Sequence, residues 1–376
     1  MTRSGELREA WVVDYIDGDG DRVLKTFEKK KEADAYQATV KVDVSHGVHI
    51  TPSKSDTVKE TAERWLKRVE ADGRERSTVR QYRQHVNLHI IPRVGTIKLA
   101  NLTPKHVETL RDGLLDGDEA RGLSKLSRPL ARKVLTSFKS LLKAAKRSHL
   151  AADVSIGRDK RAQRPLEVGT DIPSPEEIKR LLQAAAGAGL RTRTLLMVAI
   201  FCGLRASELR GLRWKDIDFA NAELHVRQRA DRFNVIGPPK SAAGTRTIGL
   251  GPLLLTTLKE WKLACPKGEL GLVFPSTTGA IEHHANMLRS LTPVMKAAGL
   301  TDKKGEPKYG LHSFRHYFAS WCLNRKAAGG RQLLPKDVQV LLGHASIVMT
   351  MDRYGHLFPR SNDRAELAAA EAALWT

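Results

Sequence analysis

From Ala120 to Ala152 the chain carries nine basic residues and no acidic one. Within this stretch Leu130, Val134, Phe138, Leu141 and Ala145 recur at helical spacing. Arg128, Arg132, Lys139, Lys143 and Lys146 fall mainly off that apolar stripe. A segment built this way can pack one face and must leave the other charged. It predicts an amphipathic helix whose free face can meet phosphate. A solvated basic face is the plainer reading, but the absence of acids over so long a run favours phosphate contact.

The charge of the whole chain points the same way. Its 376 residues hold 63 Lys and Arg against 42 Asp and Glu, a net charge of +21. A polyanionic partner follows, and nucleic acid is the commonest one. The excess is unevenly placed. Residues 1–54 are net −1, residues 55–165 net +12 and residues 166–376 net +10. With 41% hydrophobic and 28% charged residues, the composition suits a soluble globular protein with two or three domains. No apolar run reaches the ~18 residues of a membrane span. The opening MTRSGELREA has no apolar signal-peptide region, so the expected compartment is the cytosol. Cys202, Cys265 and Cys322 are odd in number and far apart, which argues against a disulfide scaffold or a cysteine zinc site.

Three segments emerge. In the first, Trp11–Ile16 and Arg22–Phe27 read as strands and about Lys29–Val44 as a polar helix. Asp17-Gly18-Asp19-Gly20-Asp21 reads as the turn between the strands. It has the D-x-D-x-D spacing of a calcium loop, but the sixth position is Arg22 where such a loop needs glycine, so a solvated turn is expected. Gly47 and Pro52 mark a linker. The second segment reads as all-helical, with helices over about Thr57–Ala71, from Ser77 to about His89, from Thr103-Pro104, and in the basic stretch. A linker is expected between Asp153 and Pro175. The third segment mixes helices (Pro175–Ala186, Arg193–Gly203) with strands in Asp216–Arg229 and Arg246–Leu250.

The residues able to do chemistry lie in the third segment. Gly-Leu-Arg-Ala-Ser-Glu-Leu at 203–209 places Arg205 at a helix start, with Glu208 three residues on. Lys240 stands between two strand-like runs. In His-Ser-Phe-Arg-His at 312–316, His312 and Arg315 share a helix face. Leu-Gly-His ends at His344, and Tyr354 follows ten residues later. Each element alone has an ordinary reading: a structural ion pair, a packed histidine, a packed tyrosine. His312 and His316 have the i, i+4 spacing of metal ligands, but position 313 is Ser and no third ligand suggests itself, so no metal is expected.

Taken in order, these elements resemble the tyrosine recombinases of the phage-integrase type, with a lambda-like N-terminal arm-binding domain. The resemblance implies a multidomain, mainly α fold. Residues 1–54 would be a small sheet-plus-helix domain binding arm-type DNA, with Lys25, Lys29, Lys30 and Lys31 as its contact face, or a domain for contacts between protomers. Residues 55–160 would be an all-helical, SAM-like core-binding domain, and residues 172–376 a mixed α+β catalytic domain. Tyr354 would attack a scissile phosphate to give a 3′-phosphotyrosyl link, without metal, ATP or other cofactor. Arg205, Arg315, His312 and His344 would hold the phosphate, with His312 also able to accept the tyrosine proton. Lys240 would protonate the leaving 5′-oxygen. Glu208 would orient Arg205 or a histidine, and His316 would pack behind the site.

The implied function is site-specific recombination for a phage or integrative element. The implied partners are double-stranded attachment sites, a homotetramer on DNA, a DNA-bending host factor and an excisionase, in the bacterial cytoplasm at the nucleoid and without a membrane. A transposase or an Xer-type resolvase would share the chemistry. A type IB topoisomerase would share the nucleophile, and a non-catalytic DNA-binding relic would keep the fold alone. The C-terminal tail from about Asp363, with Leu367, Ala370 and Leu374 on one face, would dock on its own domain or on a neighbour.

Overall fold

The computed structural model describes residues 9–16, 20–45, 55–157, 164–358 and 364–375. Residues 17–19 of the expected turn, the linker at Gly47 and Pro52, and residues 158–163 lie outside the described residues. The chain divides into two compact units, Met1–Gln163 and Arg164–Thr376.

The first unit opens with β1 (Trp11–Ile16) and β2 (Arg22–Phe27), an antiparallel pair in which Trp11 faces Phe27 and Ile16 faces Arg22. Helix α1 (Lys30–Ser45) follows. Side chains alternate across the small sheet. Val13 is buried, together with Ala33 and Val40 of the helix. The Tyr15 and Tyr36 hydroxyls meet at 3.0 Å. The opposite face leaves Val12, Ile16 and Leu24 exposed. Of the four lysines proposed as a contact face, Lys25 lies 4.0 Å from the Tyr36 ring centroid and Lys30 lies 5.3 Å from that of Trp11. Both set their ammonium groups over aromatic faces.

Next come α2 (Val58–Ala71), α3 (Arg76–His85), a wide π turn (Val86–Ile90), α4 (Ile91–Val94), α5 (Pro104–Asp116) and α6 (Arg128–Ala144). Thr57 and Glu60 start α2 with a reciprocal cap: the Thr57 N–H donates to Glu60 Oε2 at 2.8 Å, and the Glu60 N–H to Thr57 Oγ1 at 3.2 Å. The helix expected to stop near His89 runs on to Val94. The wider π turn lets the chain pass Pro92, which has no N–H to give to a regular helical bond. Val58, Leu66, Val86, Leu110, Val134, Phe138 and Leu141 form one core.

The second unit begins with α7 (Pro175–Ala186), capped by Ser174 and Glu177. Helix α8 (Leu190–Cys202), apolar from Leu195 onward, runs through the main core with Leu195 to Ile200 buried. After α9 (Ala206–Gly211) come β3 (Ile217–Asp218), β4 (Glu223–Val226), β5 (Arg229–Ala230), β6 (Ile236–Gly237) and β7 (Arg246–Gly249). β3, β4 and β7 form one antiparallel sheet, in which Val226 faces Arg246 and Glu223 faces Gly249. β5 and β6 make a separate small ladder within the β4–β7 connection. Helices α10 (Pro252–Ala264), α11 (His284–Ala297), α12 (Leu311–Leu323), α13 (Pro335–Leu342), α14 (Ile347–Tyr354) and α15 (Arg364–Leu374) complete the unit.

A second apolar cluster gathers Phe318, Cys322, Val338, Leu342 and Tyr354 with Leu166 and Ile172. The architecture is mainly helical with small sheets. All three cysteines are buried free thiols. Among the described residues no helix is long and apolar enough to cross a membrane.

Candidate active site

Two glycines set the geometry. Helix α8 ends at Gly203 with φ +57°, and a Cβ there would sit 2.4 Å from the Phe318 ring. Only glycine fits the left-handed turn and the close approach together. The chain then extends through Arg205, which caps α9, and the Arg205 N–H donates to Glu208 Oε2 at 2.9 Å. Helix α13 ends the same way at Gly343, φ +62°, where a Cβ would lie 2.9 Å from the Ala243 carbonyl.

The end of α13 collects arginines. Its last carbonyls have no partner within the helix and carry the negative end of its dipole. Arg246 Nε donates to Leu341 O at 2.7 Å, Arg315 Nη2 to Leu342 O, and Arg205 Nη2 to Gly343 O at 3.0 Å. Three successive carbonyls therefore hold three guanidiniums from three different elements. Arg315 also donates to Gly203 O at 2.7 Å, which ties α12 to the α8 turn.

The buried Glu208 carboxylate balances part of this charge. It accepts from Arg205 Nη1 at 2.7 Å and from Arg246 Nη1 and Nη2 at 3.2 and 2.8 Å. Burial alone would raise its pKa, but Arg246 and then Arg205 outweigh burial and hold it at about 2. Arg315 is pulled down to about 9, first by burial and then by Arg205 and Arg246. The cluster thus sets three guanidiniums around one carboxylate, a positive field that favours an anion.

Tyr354 closes α14 and is almost fully buried. Its hydroxyl lies 2.7 Å from His316 Nδ1. Burial pushes its pKa up to about 12, against the opposing fields of Arg315, Arg353 and Arg205. The His344 ring stacks parallel to the Tyr354 ring at 6.4 Å, and its Nδ1 meets Thr350 Oγ1 at 2.9 Å. Burial, then Arg315, Arg205 and Arg246, lower His344 to about 4. His312 is open to solvent one helical turn before His316, with ring centroids 4.4 Å apart. The packing around its ring, then Arg315, Arg353 and Arg205, hold its pKa below the usual value.

Residues 174–360 match the phage integrase family, and residues 57–115 match the phage integrase N-terminal SAM-like domain. The chain belongs to the phage integrase family. A XerC-like tyrosine recombinase of Caldanaerobacter subterraneus is 29% identical over 224 residues, covering 53% of this chain and 54% of the relative. The ICEBs1 integrase of Bacillus subtilis is 29% identical over 199 residues, 52% of each chain. The alignments thus span about half the length of these relatives. Among solved structures, the Tn1549 transposon integrase in complex with circular intermediate DNA superposes with TM-score 0.59 at 19% identity, covering 85% of this chain and all of that one. A lambda integrase dimer bound to a core site gives TM-score 0.55 at 18% identity over 96% of this chain and 98% of that one. These structures share the integrase fold.

Within that fold, Arg205, Glu208, His312, Arg315, His344 and Tyr354 come together from α9, α12, α13 and α14. Lys240 is exposed on the loop between β6 and β7. Three residues beyond it, Ala243 adjoins Gly343. Sequence reasoning missed Arg246, whose buried guanidinium braces Glu208. Its only signal was a lone arginine in a strand-like run. It also gave His316 a packing role and did not see the direct contact with Tyr354. On α6, Arg128 and Lys143 are exposed, as is Lys146 just beyond the helix, and Lys139 is half-buried. Arg132 instead turns inward, with Nε donating to Ile156 O at 3.0 Å and Nη2 to Gly157 O.

Proposed function

We propose that this chain is a site-specific DNA recombinase, an integrase of a phage or integrative element. The observation that carries the reading is the convergence of Tyr354 with Arg205 and Arg315 from distant parts of the sequence into one cationic site. The tyrosyl oxygen attacks a scissile phosphate. The P–O5′ bond breaks, a 3′-phosphotyrosyl link forms, and the 5′-oxygen leaves with a proton from Lys240. Phosphodiester energy is kept in the covalent link, so the reaction needs no ATP. Charge gathers on the phosphate oxygens as the bond breaks. The outer donors of Arg205 and Arg315 stabilise it, with hydrogen bonds from His312 and His344. Glu208 and Arg246 hold Arg205 in place. The guanidiniums fill the part that metal ions play in other nucleases.

Residues 172–376 form the catalytic domain in this reading, and residues 55–160 the core-binding domain, with Arg128, Lys139, Lys143 and Lys146 of the predicted set facing phosphate. Residues 1–54 bind arm-type sites. The working assembly is a homotetramer on double-stranded attachment sites in the bacterial cytoplasm, directed by a bending factor and an excisionase. The DNA complexes of the Tn1549 and lambda integrases support duplex DNA as the substrate class.

The test is a nicked suicide substrate carrying the attachment site beside the gene, incubated in EDTA and run on a denaturing gel. The wild type should form a covalent adduct and Tyr354→Phe none. Specific binding without any adduct would overturn the catalytic reading.

A further inference from the structure

Tyr354 and His316 form the closest contact made by the proposed nucleophile. The 2.7 Å approach of the hydroxyl to Nδ1 is buried on both sides. Among the described residues, the charged groups whose fields act on the tyrosine are arginines: Arg315, Arg353 and Arg205. Guanidiniums favour the phenolate but cannot accept its proton. His344 stacks its face on the Tyr354 ring and directs Nδ1 to Thr350. His312 meets the His316 ring edge to face at 4.4 Å, and it is His316 that meets the tyrosine hydroxyl.

We propose that His316 is the proton acceptor for Tyr354. This inference rests on the recombinase reading. With Nε2 protonated, Nδ1 accepts the hydroxyl hydrogen. As the tyrosyl oxygen bonds to phosphorus, the O–H bond breaks and the proton passes to Nδ1. Lys240 supplies a separate proton to the leaving 5′-oxygen, so two protons move at opposite ends of the phosphate. The solvent-open His312 ring, packed against His316, lies beside the route by which the proton leaves. The charged and titratable groups around His316 are His312 and Arg315 on its own helix, Arg353 and Tyr354 on α14, and Asp171 from the preceding segment. Burial first, then His312, Arg353 and Arg315, disfavour a protonated imidazole and lower His316 to about 3, while Asp171 favours the charged form. A bound phosphodiester monoanion adds to the side of Asp171.

The test measures single-turnover adduct formation on the nicked substrate, from pH 7 to 9, for the full-length wild type and for His316→Asn. Asparagine puts a polar atom near the position of Nδ1 but cannot carry the proton. Melting temperature and DNA binding check that the variant is folded. At pH 7 the variant should cleave about 100-fold more slowly, the scale of a lost general base. Its rate should climb about tenfold per pH unit as hydroxide takes over, while the wild type changes less than about threefold. A 5′-bridging phosphorothiolate should not rescue it, because the leaving group is not the defect. A second variant, His316→Phe, keeps the packing and should show the same pH slope. Cleavage within threefold of wild type, or a loss by one constant factor at every pH, would overturn the assignment. A wild type that binds its site and forms no adduct would overturn the recombinase reading itself.

Discussion

Glu208 and Arg246 form a buried two-pronged ion pair, with Nη2 to Oε2 at 2.8 Å and Nη1 to Oε1 at 3.2 Å. Arg205 holds the same carboxylate from another side. One acid therefore fixes two arginines, one of them proposed to touch the phosphate. Such a pair gives modest net stability as a unit, but losing one member leaves a buried charge without compensation.

Replacing Glu208 by Gln should therefore lower the unfolding free energy at pH 7 by about 3–5 kcal/mol. Glu208 has a folded pKa near 2, below the ~4.3 of an unfolded glutamate. Its contribution is present above the unfolded value and is lost as pH falls through the folded one. Urea denaturation at pH 7 and pH 3 should show the gap between wild type and variant shrinking at the lower pH. A gap of equal size at both would contradict the linkage.

Gly343→Ala should be costly for its size. The position has φ +62°, and the new Cβ would press on the Ala243 carbonyl at 2.9 Å and on Arg246 Nη1 at 3.1 Å. A left-handed non-glycine residue costs about 1–3 kcal/mol before any clash. The Gly343 carbonyl also holds Arg205. The melting temperature should fall, and adduct formation should fall by at least about tenfold, on the scale of a slightly misplaced catalytic group. Unchanged cleavage would show that Arg205 does not depend on this turn.

Lys240→Ala should slow cleavage of ordinary DNA by roughly 100-fold, the scale of a lost general acid. A 5′-bridging phosphorothiolate leaves without needing a proton and should restore the rate. Failure of that rescue would remove the general-acid role. The contrast with His316→Asn separates the two proton transfers.

Arg132 and Lys143 lie on the same basic helix but should behave differently. Arg132 ties α6 to the carbonyls of Ile156 and Gly157. Its replacement by Ala should destabilise the protein by about 0.5–1.5 kcal/mol, the net scale of a lost intramolecular hydrogen bond at a partly exposed site. The salt dependence of DNA binding should hardly change. Lys143 is exposed, so Lys143→Ala should leave stability within about 0.5 kcal/mol. It should lower the slope of log K against log salt by about 1 if it neutralises one phosphate. Filter binding across a salt series distinguishes them, and the opposite pattern would reassign both.

Much of the chain was legible because local chemistry agreed with the final fold. β1 and β2 came from runs of β-branched and aromatic residues. The helix expected over Pro175–Ala186 is α7, and the stripe of Val134, Phe138 and Leu141 marked the buried face of α6. The order of Arg205, Lys240, His312, Arg315, His344 and Tyr354 was visible because those residue types recur at recognisable spacings. The passage of helix through Pro92 was not legible, since a single proline carries no sign of a π turn upstream.

The sequence by itself determined which elements form, where charge accumulates, and which polar side chains recur in the order that marks the candidate site. Only the tertiary structure decided what each of those side chains holds. Arg132 faces inward because the carbonyls of residues 156 and 157 lie within its reach. Arg246 becomes a brace because β7 runs beside the end of α13. His316 meets Tyr354 because α12 and α14 both pack against α13. Helical periodicity reports which face a residue occupies, but hydrogen bonds between residues dozens or more apart depend on how helices and strands are assembled. In this chain, three carbonyls at the end of α13 gather arginines that lie as far as 138 residues away in sequence.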